Sequence, residues 1–121
     1  MAAYGDELGL DRETAVKLAN AFGGGMGRMG EVCGAVTGAY MIISLTHGAS
    51  SPQDELSKET TYELVIKFAE LFKHRNESII CRDLIGFNLS EKDLNPDASK
   101  IIWERCPGYV KDAAEIIEKL I

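Results

Sequence analysis

The stretch from Phe22 to Ala39, FGGGMGRMGEVCGAVTGA, constrains this chain more than any other. Gly23-Gly24-Gly25 cannot continue a helix, yet the apolar pattern resumes soon after, so the segment reads as helix, glycine turn, helix. The second helix is expected from about Gly30 to Thr46, closed by His47 as a terminal cap and Gly48 in a left-handed position. Gly30, Gly34 and Gly38 then fall four apart on one ridge. Glycine costs a helix interior roughly 1 kcal/mol relative to alanine, so three of them imply a strip where a ligand, a cofactor or another backbone approaches closely. Cys33 lies beside that strip near the helix start, where the positive end of the dipole favours thiolate. A phosphate loop is the competing reading of the glycines, but G-x-x-x-x-G-K-[ST] is absent and no strand precedes the run.

The rest of the chain is helical by pattern. Asp11 is suited to cap a first helix through Leu18 to Phe22. Leu64, Val65, Phe68, Leu71 and Phe72 recur at helical spacing, capped by Ser57 or Thr60. Ser78 is placed to cap a short helix that carries Cys81 in its first turn and ends at Gly86. From Phe87 to Ser99 the segment is polar, with Leu89, Leu94, Ile101, Ile102 and Trp103 expected to tether it. Proline favours the first helical position, so the last helix is expected to begin at Cys106-Pro107. The fold class is therefore all-α, a compact bundle of about five helices with a glycine-rich turn before the second, in a single domain over residues 1–121.

Composition narrows the function. A net charge of -6 argues against nucleic acid as a partner. No apolar run approaches the ~20 residues of a membrane span, so no membrane insertion is expected, and with no export signal at the N-terminus the expected location is cytoplasmic.

The three cysteines, Cys33, Cys81 and Cys106, show no C-x-x-C or zinc-finger spacing. All three fall at expected helix N-termini. If the second and third helices run antiparallel, the end near His74 returns to the Cys33 end, and a short turn from there leads to Cys81. Cys33 and Cys81 are thus expected to meet. His74 reads as a surface residue at a helix end, and Arg28 and Arg82 as solubilising charges that could also hold thiolates or an anionic ligand.

The elements Gly-Glu-Val-Cys33-Gly34-Ala35-Val36-Thr37-Gly38, Cys81-Arg-Asp-Leu-Ile-Gly86 and Cys106-Pro107 resemble the redox-active family named for its C…GCAxxG…C…C cysteine pattern, from about Tyr4 to Leu120. The resemblance implies a small helical protein acting in redox chemistry. The family's first cysteine, set in an Asn-Cys-Ala-Gln-Ala-Val-like helix, is absent here. Residues 1–10 resemble the segment just after that helix, so the chain is expected to start late, and a four-thiolate site in it to be incomplete.

Three functions are consistent with these features. The first is thiol–disulfide chemistry, with Cys33 as activated thiolate, Cys81 as its partner, Cys106 or the family's missing cysteine as a resolving or second-pair thiol, and an unidentified redox partner. The second is a metal or iron–sulfur cluster held by Cys33, Cys81 and Cys106, with His74 as an extra ligand. The third is a helical interaction module, a homodimer among its forms, packed through the glycine strip.

Overall fold

The structure, a computed structural model, describes residues 1, 4–89 and 96–121. A 3-10 turn at Asp6–Leu8 precedes five helices: α1 (Arg12–Asn20), α2 (Gly34–His47), α3 (Glu55–Asn76), α4 (Cys81–Ile85) and α5 (Ala98–Leu120). Asp11 caps α1 as expected, its carboxylate accepting the Thr14 N–H at 3.1 Å. The all-α expectation holds among the described residues, where the one β-type pairing is an isolated antiparallel bridge between Val32 and Ile80.

α2, α3 and α5 pack pairwise around the core. Val36, Ile43, Phe68, Phe72, Ile116 and Ile117 are its fully buried side chains. A run of rings crosses all three helices. Tyr40 meets Phe68 edge-on at 5.8 Å, Phe68 stacks on Phe72 at 5.9 Å, and Phe72 tilts against Tyr109 at 6.3 Å. Where α3 ends, Arg75 reaches α5 through Asp112 at 3.2 Å and Glu115 at 2.8 Å. Asn76 donates to Asp112 beside it, at 3.1 Å.

The glycine turn is more unusual than a loop. Gly24, Gly25, Met26, Gly27 and Arg28 all have φ between 61° and 67°, a left-handed turn five residues long. L-residues pay roughly 1–2 kcal/mol each for that conformation, which is why three of the five are glycine. Gly30 is left-handed too, at φ 70°.

This overturns the expected glycine ridge. α2 begins at Gly34, after Cys33, so Gly30 lies outside the helix and shares no face with Gly34 and Gly38. A β-carbon on Gly38 would meet nothing closer than the Met1 nitrogen at 4.0 Å, so no close approach demands it. At its other end α2 does finish at His47, but Gly48 is extended, with φ -65° and ψ 151°.

Three further boundaries move. Asp54 caps α3, three residues before Ser57 and six before Thr60, because its carboxylate accepts the Ser57 N–H at 3.1 Å. α4 starts at Cys81 with Ile80 extended in the bridge, while Ser78 accepts the Ile80 N–H at 3.0 Å without capping the helix. α5 starts at Ala98, so Pro107 is interior and Cys106 lies inside the helix instead of at its N-terminus. A proline that suits a first turn was met inside a long helix, whose later half is fixed by the core residues Ala113, Ile116 and Ile117. Of the expected tethers, Ile101 and Ile102 are half-buried, Trp103 is 79% exposed, and Leu94 lies outside the described residues.

Candidate active site: three thiols around a glycine turn

The bridge between Val32 and Ile80 builds the site. Cys33 N–H donates to the Ile79 carbonyl at 2.8 Å and Cys81 N–H to the Glu31 carbonyl at 2.6 Å. By the alternation of an extended pair, Cys33 and Cys81 then point to the face opposite Val32 and Ile80. They are diagonal neighbours on that face, a relation that in a regular ladder sets Cα atoms about 7–8 Å apart. A disulfide needs about 4.4–6.8 Å, so the two segments have only a short distance to close. Both chains then turn into helices: Cys33 is the residue before α2, and Cys81 is the first of α4.

The left-handed turn seats this pair from below. The Gly25 carbonyl accepts the Glu31 N–H at 2.9 Å, and the Gly24 carbonyl accepts that of Gly30 at 3.3 Å. A β-carbon on Gly25 would lie 2.5 Å from Cys81 Cβ and 2.9 Å from the Glu31 nitrogen. Only glycine fits there, so the glycine cluster is the cradle of Cys81. Gly30 has a similar duty, since a β-carbon on it would lie 3.2 Å from both Arg82 Cβ and the Asn88 side-chain oxygen.

Cys106 comes from α5. Two bonds fix that helix against α4: Tyr109 Oη donates to the Leu84 carbonyl at 2.7 Å and Arg105 at 3.1 Å, satisfying a carbonyl the short helix leaves open. Cys33, Cys81 and Cys106 consequently line one open pocket of about 1090 Å³, together with the glycine turn, Arg28, Ile85 and Ile102. All three thiols are free. Cys33 is 9% exposed and Cys81 8%, whereas Cys106 is half-buried.

Their protonation differs from the sequence expectation of activated thiolates. Burial pushes the Cys33 thiol up, against the opposing pull of the Ala35 and Val36 N–H groups at the helix start. Cys81 is pushed up to about 11, by burial first and then by Cys33 and Cys106. Burial also raises Cys106, with Cys33 as the second cause. The amide N–H groups at the helix start act at Cys33, but desolvation outweighs them.

The remaining candidates sort clearly. Gly34 lines the pocket, Gly38 lines a smaller apolar groove beside Met1 and Tyr4, and Gly30 lines neither. Arg82 is held by Glu31 at 3.2 Å and by the Gly30 carbonyl, so it braces the bridge. His74 is exposed in the last turn of α3. Among the described residues no group of three His, Cys, Asp or Glu side chains could hold a metal ion, so the metal reading finds no ligand set there. Sequence reasoning missed Gly25 as the residue that seats Cys81, and Tyr109 and Arg105 as the braces of α4. The first could be found only by knowing that the turn is left-handed.

Compared with known proteins, residues 1–120 match the model of the family described as Putative redox-active protein (C_GCAxxG_C_C). No curated protein and no solved structure matches the chain.

Proposed function

The chain belongs to this redox-active cysteine-pattern family, and on that premise we propose that it carries out thiol–disulfide exchange with Cys33, Cys81 and Cys106. The observation that carries the reading is the convergence of three free thiols, distant in sequence, on one open pocket.

Exposure supports a division of roles. Cys106 is the accessible thiol, so its thiolate attacks one sulfur of an incoming disulfide. The old S–S bond breaks, a mixed disulfide forms on Cys106, and the departing thiolate takes up a proton. Cys33 lines the same pocket as Cys106. Its thiolate attacks the Cys106 sulfur, releasing the second half of the incoming molecule and forming a Cys33–Cys106 bond. Cys81 then attacks Cys33, and Cys106 leaves as thiolate. The sum is one external disulfide reduced to two thiols and one Cys33–Cys81 disulfide formed, a two-electron transfer that runs in either direction. The raised thiols make the first step slow near neutrality and faster as pH rises.

Replacing Cys33 by serine tests this. The Cys33→Ser protein, treated with a small disulfide, is expected to stop at a mixed disulfide that peptide mapping places on Cys106, where the parent chain proceeds to an internal bond. Cys33→Ala is the companion if the buried hydroxyl perturbs folding. An adduct that never exceeds background in either variant contradicts the scheme.

A further inference from the structure

The pocket's shape and charge select among disulfides. We propose that it binds a low-molecular-weight, peptide-like disulfide carrying a carboxylate, with Arg28 as the group that receives the carboxylate. This rests on the exchange chemistry above and specifies its substrate.

Shape comes first. Cys33 and Cys81 lie on the floor of a concavity, each more than nine-tenths covered, and only Cys106 on the α5 wall is partly open. A folded protein presents a disulfide flanked by two backbone segments on a convex surface, which suits an exposed thiol and not a recessed one. The volume of about 1090 Å³ far exceeds the space three thiols need, and lies just above the usual range of small-molecule sites. Room of that kind suits an extended ligand of a few tens of atoms.

The walls are chemically unequal. On one side the turn from Gly23 to Gly27 offers backbone with hardly a side chain, a surface along which amide groups can lie close. On the other, Ile85, Ile102 and Val110 are apolar. Among the described lining residues Arg28 is the one charged side chain, and it makes no ion pair among the described residues. Two neighbouring arginines are already committed, Arg82 to Glu31 and Arg105 to the Leu84 carbonyl. Arg28 is exposed, and its stem lies over the glycine turn. It sits at φ 66°, and a β-carbon on Gly24 would come within 3.0 Å of its Cγ. On a protein of net charge -6, an anionic ligand needs such a local cation to approach at all.

The test uses the whole reduced chain and three oxidants: oxidised glutathione, the uncharged bis(2-hydroxyethyl) disulfide, and insulin as a protein disulfide. Oxidation is followed by acid quench and intact mass. The rate is expected to saturate with oxidised glutathione and to rise linearly with the uncharged disulfide, with insulin slowest. Arg28→Gln is expected to lower the glutathione-to-uncharged rate ratio about tenfold, as for loss of one charge-assisted contact, and Arg28→Lys to restore most of it. A ratio unchanged in Arg28→Gln, or insulin reacting as fast as oxidised glutathione, overturns the substrate assignment while leaving exchange chemistry standing. Failure of all three oxidants to oxidise the chain overturns the exchange reading itself, and this proposal with it.

Discussion

Gly25 leaves no room for a β-carbon, with Cys81 Cβ 2.5 Å and the Glu31 nitrogen 2.9 Å from where one would stand. Alanine there adds left-handed strain to overpacking, so Gly25→Ala is expected to destabilise the protein by about 2–5 kcal/mol in urea denaturation. Gly108 is the contrasting case, helical and open around its missing side chain. Gly108→Ala is expected to leave stability unchanged or to raise it by up to about 1 kcal/mol. Two glycines in one sequence thus answer to different physics, one to contact and one to neither contact nor conformation.

The thiols make a second residue-scale prediction. The Cys81 thiol is pushed up to about 11 by burial and by the other two thiols. Its alkylation by a small uncharged reagent is therefore expected to climb through the usual thiol range and level off only near pH 11. A plateau near pH 7 contradicts that environment. The same shift fixes the sign of the pH dependence of stability. A thiol whose folded value is raised binds its proton more tightly in the native state than in the unfolded one. Its contribution is complete below the unfolded value and is lost as pH rises towards the folded one. The thermal midpoint is thus expected to fall between about pH 8.5 and pH 11, and to fall less steeply in Cys81→Ala.

Among the elements, α4 is too short to hold itself. A helix of five residues forms few bonds against its nucleation cost, so its position rests on the bridge at one end and on α5 at the other. Tyr109 Oη carries much of the second support, donating at 2.7 Å to the Leu84 carbonyl. Tyr109→Phe keeps the ring on Phe72 and removes only that bond. It is expected to cost about 1 kcal/mol and to speed alkylation of Cys81 at a fixed pH as α4 loosens. An unchanged Cys81 rate would show that Arg105 and packing suffice.

How legible these elements were depends on which force placed them. Asp11 capping α1 and the Phe68–Phe72 stripe of α3 could be read because local chemistry and the core agree there. Cys81 in the first turn of α4 was legible for the same reason, being set between turn residues. Asp54 was passed over for Ser57 and Thr60 because all three are competent caps, and only the observed bond to the Ser57 N–H chooses. Pro107 misled because a proline signals a first turn locally, whereas Ala113, Ile116 and Ile117 hold the later half of the helix by tertiary packing. The glycine ridge failed from reading spacing alone. Nothing in the order of residues tells a left-handed turn from a helix start.

At the scale of the molecule, a three-helix core carries its thiols at one end. Phe72 joins the two, stacked on Phe68 and tilted against Tyr109 beside the α4 brace. Phe72→Ala is expected to cost about 3–5 kcal/mol, because a fully buried ring leaves a cavity. The convergence of Cys33 and Cys81 was legible from helix lengths and antiparallel return. The raised thiols were not, because desolvation depends on what covers a sulfur, and the buried cluster that holds Cys33 draws on residues as distant in the chain as Ile117. The central claim is that this end of the molecule gives up two electrons by forming an internal Cys33–Cys81 bond and recovers them when that bond is reduced. Differential alkylation and peptide mapping, before oxidation, after one equivalent of oxidised glutathione, and after re-reduction, test it most directly. The account predicts Cys33 and Cys81 linked to each other in the oxidised sample and free again on reduction, with Cys106 free at both ends of the cycle. Cys33 and Cys81 still separately alkylated while Cys106 carries a lasting adduct would contradict it.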